Sequence, residues 1–299
     1  VLYALKIQQI IQISMLTKEK AIKLSIPYCL VSVARDAVYY FVLSFYFIYL
    51  SRVLNLSLNC LVPMILFVKV IDIIKEPFIG LFIDSLSSYF KLNKFRFFVL
   101  TGAVLNAVTT VAIFNVPHLS DDTLEILYST ICFSLWSITF SLYELSTWAV
   151  LTTFGKDNKI REAFASVSRI SSLIGFSITL LIFSTILNTN SILPKIAQTI
   201  PEHNFNVSSL YIAVFLFITA IVFSTSFSDI NTNHKQISFA KAKRAFLGND
   251  QLIITFAVTL LQQITLSVFV CSFGYFFLFL PVIPTDHDIF FQVHIPWIS

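Results

Sequence analysis

The chain has 299 residues, of which 57% are apolar and only 12% are charged, and its formal net charge is +4. Soluble domains carry about 25% charged residues, so this composition excludes a soluble globular protein and points to lipid as the surroundings of most side chains. Basic residues lie in short loops between apolar stretches and form no continuous face, so no nucleic-acid partner is expected.

Seven apolar stretches are long enough to cross a bilayer, which takes about 20 residues in a helix. They lie at about 24–50, 58–83, 97–115, 126–152, 165–187, 208–228 and 251–280. We predict an all-α integral membrane protein. Residues 24–228 form an N-terminal six-helix transmembrane bundle, 229–250 a cytoplasmic central loop and 251–280 a seventh helix. Residues 1–23 are predicted to be a cytoplasmic N-terminal segment, and Met15 opens a plausible native start, so that 1–14 are upstream translation.

The basic residues are distributed unevenly between the two sets of loops. Fourteen of the twenty lie on one side: Lys6, Lys18, Lys20, Lys23, Lys91, Lys94, Arg96, Lys156, Lys159, Arg161, Lys235, Lys241, Lys243 and Arg244. The opposite side holds Arg52 and Lys195. Cytoplasmic loops carry the excess of Lys and Arg. The pattern therefore predicts a multi-pass protein of the plasma (inner) membrane with its N-terminus in the cytoplasm.

Span two carries carboxylates that membrane helices rarely contain. Asp72 and Glu76 lie one turn apart on one face, and each costs about 2.5–3.5 kcal/mol at a helix centre on insertion scales. Pro77 donates no backbone hydrogen bond and so leaves a carbonyl free. These oxygens predict a site for Na⁺ or H⁺. The alternative is a structural ion pair in which Lys69 or Lys75 neutralises Asp72.

Span four places Ser141, Glu144 and Trp148 on one helix face through their spacing of three and four residues. A carboxylate beside an indole is typical of a sugar site, because the carboxylate accepts hydroxyl hydrogen bonds and the ring stacks on the apolar sugar face. The alternative is an ordinary interfacial Trp with a Glu that extends toward the headgroups.

Spans one and five contribute further charges, Arg35 and Asp36 near mid-depth and Arg169 at the start of span five. Because Arg35 and Asp36 are adjacent on a helix, we expect them to point in different directions and to seek partners on other spans. The alternative is a purely structural bridge between helices.

Four segments of the chain resemble the sugar:cation symporters of the glycoside–pentoside–hexuronide family, the melibiose permease type, within the major facilitator superfamily. They are VARDAVYYFVLSFYFIYLSRVLNLS, VKVIDIIKEPFIGLFIDSL, LWSITFSLYELSTWAVLTTFGKDNKIREAFASVSRISSLIGF and ISFAKAKRAFLGNDQL. The resemblance covers about residues 15–280. It implies the N-terminal six-helix bundle of a major facilitator fold plus the seventh helix. Members have twelve helices, so the chain is expected to be truncated, with an atypical tail at 281–299.

The resemblance also implies the functional residues. The cation-binding residues would be Asp72, Glu76, Ser141 and Glu144. The substrate-binding residues would be Asp36, Glu144, Trp148 and Arg169, with Arg35 nearby. The conformational loop motif would be Gly80, Asp84, Lys94 and Arg96. Two departures stand out: Lys75 replaces a small polar residue in the cation motif, and Glu144 stands where sugar-transporting members have Asp.

These observations together predict cation-coupled symport of a sugar or glycoside by alternating access in the full-length protein. The coupling ion would be Na⁺ or H⁺, with no cofactor and no other metal. The partners would be membrane lipid, a small-molecule substrate and the missing C-terminal half, without which transport is not expected. The alternatives are a symporter of lysophospholipids or other solutes, and a truncated non-transporting membrane protein. No residue pattern supports an enzyme.

Overall fold

The computed structural model describes residues 2–86, 94–117, 121–150, 158–187 and 202–226, together with ten residues between 248 and 268; for 2–22 it describes only the backbone. Six long helices occupy these ranges: α1 (Leu2–Ile48), α2 (Leu58–Leu86), α3 (Lys94–Ile113), α4 (Asp122–Ala149), α5 (Asn158–Leu187) and α6 (Glu202–Ser226). A π-helical turn, Tyr49–Val53, extends α1. No strand occurs in the described ranges, and the predicted all-α class is confirmed.

Five segments of these helices are long and apolar enough to cross a membrane. They are Lys23–Val53, Arg96–Ile113, Asp122–Ala149, Glu162–Ile182 and Glu202–Ser226. Helix α2 has 29 residues, also enough for a crossing, but charged side chains interrupt its apolar surface between positions 69 and 76. Helical residues between 250 and 268 lie within the predicted seventh span. The rest of that span, most of the predicted central loop and the tail 281–299 lie outside the described residues.

Helix α1 is the central helix of the bundle. It packs against α5 and α6, while α3 packs against α4 and α6, and α2 packs against α4. Ser32, Ala37 and Val42 are fully buried although they lie on different faces of α1. Surrounding helices therefore cover most of the Lys23–Val53 segment of α1, which is the environment that charged residues in a membrane helix require.

Two glycines allow neighbouring helices to approach closely. A Cβ atom at Gly175 of α5 would lie 2.8 Å from the backbone nitrogen of Ala37 and 2.9 Å from the carbonyl oxygen of Val33. A Cβ atom at Gly102 of α3 would lie 2.9 Å from the Cα atom of Tyr143. The chain has only six glycines, and these two sit where α5 meets α1 and where α3 meets α4, as small residues do in membrane bundles.

Buried tyrosines connect α4 to α1. The hydroxyl of Tyr46 donates to the carbonyl oxygen of Ser129 at 2.9 Å, and the hydroxyl of Tyr143 donates to the carbonyl oxygen of Val31 at 2.9 Å. Both hydroxyls are thereby satisfied inside the bundle, where an unpaired polar group is costly. The two bonds fix the register of α4 against α1, and that register determines which charged side chains meet.

Candidate functional site

A first polar centre lies between α2 and α4. The Nζ atom of Lys75 donates to Asp72 Oδ1 at 2.7 Å and to the carbonyl oxygen of Ser137 at 2.7 Å. It also donates to the hydroxyl of Ser137, which in turn donates to Asp72 Oδ1. The Lys75 side chain is only 9% exposed. Carboxylate, carbonyl and hydroxyl oxygens from two helices therefore surround one ammonium group.

A second lysine binds the other side of the same carboxylate. Lys69 Nζ lies 3.1 Å from Asp72 Oδ2, but the Lys69 side chain is 56% exposed. Asp72 is thus paired with lysines one turn before and one turn after it. The structure therefore contains the ion pair that was the alternative to a cation site at Asp72.

The other predicted cation-binding residues lie around this centre. Glu76 is exposed and within electrostatic range of Lys75 and of Glu144. Ser141 is buried on α4, and Ser137, one turn earlier, is the serine that contacts Asp72. The sequence analysis missed Ser137, although its spacing of four residues from Ser141 placed it on the same helix face.

A second polar centre surrounds Arg35 on α1. Arg35 Nε donates to Asp36 Oδ1 and Arg35 Nη2 donates to Asp36 Oδ2, both at 2.9 Å. The expectation that these adjacent residues point in different directions is therefore wrong. The long Arg side chain can fold back along the helix, and pairing with the nearest carboxylate avoids leaving two charges uncompensated in a buried position.

Arg35 also connects α1 to two other helices, as expected. Its Nη2 donates to the hydroxyl of Ser168 on α5 at 3.3 Å, and its Cζ lies 4.9 Å from the centre of the Trp148 ring on α4. The second terminal nitrogen, Nη1, is buried without a hydrogen-bond partner in the described part of the chain. The guanidinium therefore has a donor available for a further acceptor.

Glu144 and Trp148 complete this centre from α4. Glu144 is half-buried, lies within electrostatic range of Arg35 and Asp36, and interacts with the Trp148 side chain. Trp148 is 37% exposed, so part of its ring is accessible. Arg169, the last predicted substrate-binding residue, is exposed on α5. Its neighbour Ser168, which the sequence analysis did not single out, is the α5 residue that contacts Arg35.

The predicted conformational motif is described only in part. Gly80 lies within α2, and no atom of the described residues would lie within 4 Å of a Cβ atom there. Arg96, in the first turn of α3, donates through Nε to the hydroxyl of Ser224 near the end of α6 at 2.8 Å. The side chains of Asp84 and Lys94 lie outside the described residues.

The two centres differ in what they offer to a ligand. The ammonium of Lys75 already satisfies the oxygens that it contacts. The centre on α1 and α4 presents a carboxylate, an unpaired guanidinium donor and an accessible indole within one region. These groups can accept and donate hydrogen bonds to hydroxyls and can cover an apolar face, which is the combination that a polyhydroxylated solute needs.

Comparison with known proteins adds independent information. The family described as MFS/sugar transport protein matches residues 27–295. The chain is 28% identical over 111 residues to the uncharacterized symporter YjmB of Bacillus subtilis (strain 168), a match that covers 37% of the chain and 24% of that protein. It is 25% identical over 142 residues to the uncharacterized symporter YnaJ of the same organism, covering 48% of the chain and 30% of that protein. The matched stretches span less than a third of either relative's length.

Proposed function

Because the chain belongs to the MFS/sugar transport protein family, we propose that it is part of a secondary active transporter that moves a sugar or glycoside across the membrane by symport with Na⁺ or H⁺. Membership of this family makes it an integral membrane protein with a role in transport. The sugar and the coupling ion are the proposed part. Two relatives whose names describe them as symporters support the coupling.

The observation that carries the sugar proposal is the grouping of Glu144, Trp148 and Arg35 at the meeting point of α1, α4 and α5. The carboxylate supplies acceptors, the guanidinium supplies a free donor, and the ring supplies an apolar face. Inside a membrane, such polar groups are costly and mark substrate pathways. Their convergence on one region from α1 and α4 favours a binding role over an interfacial Trp with an extended Glu.

Alternating access places the substrate between two halves of a carrier, which move against each other around it. In our proposal the helices described above form one wall of that cavity, with the N-terminus in the cytoplasm. Binding of one ligand would favour binding of the other, because only the fully loaded or empty carrier changes orientation. The remaining wall would come from a C-terminal half.

The proposal is tested by binding and by uptake. Purified protein in detergent is titrated with a panel of sugars and glycosides while Trp fluorescence is recorded, and uptake of the best binder is then measured in proteoliposomes that contain the full-length transporter. Saturable binding that Glu144→Gln weakens at least about tenfold supports the proposal, because a lost charged hydrogen bond costs about 1.5–3 kcal/mol. Leu135, on α4 and 49% exposed, provides the control variant Leu135→Ala.

The same titration identifies the substrate class. A saturable fluorescence response to lysophosphatidylcholine, without a response to any sugar, would replace the sugar proposal with a lipid cargo. Absence of saturable binding for both classes, in a monodisperse and helical preparation, would favour the non-transporting membrane protein.

A further inference from the structure

The oxygen atoms around Lys75 form the kind of site that an alkali cation uses. Na⁺ is a hard cation that prefers carboxylate, carbonyl and hydroxyl oxygens, and Lys75 Nζ contacts one of each, from Asp72 and Ser137. Two of the three contacts are 2.7 Å long, the length of a charge-assisted hydrogen bond. The ammonium therefore occupies the position between α2 and α4 where a bound cation would lie.

We propose that Lys75 is a tethered cation that permanently fills the alkali-ion position on Asp72, and that the protein consequently does not bind Na⁺ there. Only the statement that this position is the coupling site rests on the proposed function. The contacts of the Lys75 ammonium are seen in the described helices and do not depend on that function.

Charge balance explains why Na⁺ would not bind beside the lysine. The single negative charge of Asp72 faces two ammonium groups, Lys75 at 2.7 Å and Lys69 at 3.1 Å. A third cation at this carboxylate would be repelled by both. Glu76 is a second carboxylate within electrostatic range of Lys75, and it is exposed on the same helix. It therefore offers no enclosed position for a metal ion.

Displacement of the lysine by Na⁺ is also unfavourable. The Lys75 side chain is 9% exposed, so a displaced ammonium would lose its acceptors without gaining full hydration. Lys69 is different, because its side chain donates to Asp72 but is 56% exposed. The inference therefore assigns ion exclusion to Lys75 and not to the neighbouring lysine, and this contrast supplies the control.

The experiment measures binding of radioactive ²²Na⁺ to the purified chain in nanodiscs, with no sugar present and with choline chloride to keep the ionic strength constant. Five proteins are compared: the unmodified chain, Lys75→Ala, Lys69→Ala, Asp72→Asn and the double variant Lys75→Ala with Asp72→Asn. We expect no saturable Na⁺ binding by the unmodified chain or by Lys69→Ala. Lys75→Ala should gain saturable binding, approaching one ion per chain, and the double variant should lose it.

Two results would overturn the inference. One is saturable Na⁺ binding by the unmodified chain that Asp72→Asn abolishes, and this measurement does not depend on whether Lys75→Ala folds. The other is a helical, monodisperse Lys75→Ala protein that binds no Na⁺. Because no sugar is present, the ²²Na⁺ measurements do not depend on whether the proposed sugar site exists. Conversely, sugar binding is measured separately and does not depend on whether Lys75 excludes Na⁺.

Discussion

The guanidinium carbon of Arg35 lies 4.9 Å from the centre of the Trp148 ring, which brings a buried cation of α1 onto an indole of α4. Arg35 also holds Asp36 through two hydrogen bonds of 2.9 Å. Arg35 therefore contacts both the Asp36 carboxylate and the Trp148 ring, so we expect a substitution at one of these residues to affect the other two. This linkage defines the expected behaviour of the substrate site.

Replacing Trp148 by Ala should weaken sugar binding about tenfold or more. The variant removes the stacking surface and also the cation–π contact with Arg35, which is worth about 0.5–2 kcal/mol, and 1.4 kcal/mol corresponds to a factor of ten in affinity. Isothermal titration calorimetry with the preferred sugar measures the change in affinity. Trp148→Phe should retain part of the affinity, and an unchanged affinity in Trp148→Ala would remove this residue from the site.

Removing one charge of the Arg35–Asp36 pair should destabilise the fold more than removing both. Arg35→Gln or Asp36→Asn alone leaves an uncompensated buried charge, which costs about 3 kcal/mol or more in the free energy of unfolding. The double variant should recover most of this loss, since no charge remains unpaired. Thermal unfolding in detergent measures all three. As a control, Lys69→Gln at an exposed position should change the unfolding midpoint little. Losses of stability that add up in the double variant would contradict the prediction.

Gly175→Ala should destabilise the bundle, whereas Gly80→Ala should not. A methyl group at Gly175 would lie 2.8 Å from the backbone nitrogen of Ala37, so α5 must move away from α1. Overpacking of this kind costs about 1–3 kcal/mol. Both substitutions gain about 1 kcal/mol of helix propensity, and at Gly80 no atom in the described part of the chain would lie within 4 Å of the methyl group. Equal unfolding midpoints for the two variants would show that α1 and α5 do not pack this closely.

Ser224→Ala should loosen the end of α6 against α3. The variant removes the acceptor of the Arg96 Nε hydrogen bond, which is 2.8 Å long. Hydrogen bonds to charged groups contribute about 1.5 kcal/mol or more, so local amide hydrogen exchange should accelerate about tenfold. Ser226→Ala is the control, because the hydroxyl of Ser226 donates to the Val222 carbonyl within α6 itself. Equal exchange rates in both variants would assign no role to this contact.

Ion gradients should act differently on the unmodified transporter and on Lys75→Ala. If the ammonium fills the alkali-ion position, an inward Na⁺ gradient should not drive sugar accumulation in proteoliposomes that contain the full-length transporter, and an inward proton gradient should. Lys75→Ala should acquire a Na⁺ response that choline does not reproduce, whereas Lys69→Ala should behave like the unmodified protein. Accumulation driven by Na⁺ in the unmodified protein would contradict this assignment.

Several properties followed from the sequence alone. Length and apolar content determined an all-α membrane protein, because a bilayer admits few other folds for such a chain. Helical spacing placed Glu144 and Trp148 on one face, and the structure has them interacting. The carboxylates inside the predicted spans, Asp36, Asp72, Glu76 and Glu144, are recognisable as unusual because charge is costly in lipid wherever it occurs. Each of these inferences depends on local periodicity or composition, and none of them requires knowledge of the partner helices.

Other properties were decided by the tertiary structure. Sequence spacing left the choice between a cation site and a lysine pair at Asp72 open, and the packing of α4 against α2 brought Ser137 to the same ammonium. Side-chain rotamers likewise determine that Arg35 pairs with Asp36. The rotation of α5 about its axis determines that Ser168, rather than Arg169, contacts Arg35. Helical periodicity specifies which residues share a face, but only packing between helices specifies what that face meets.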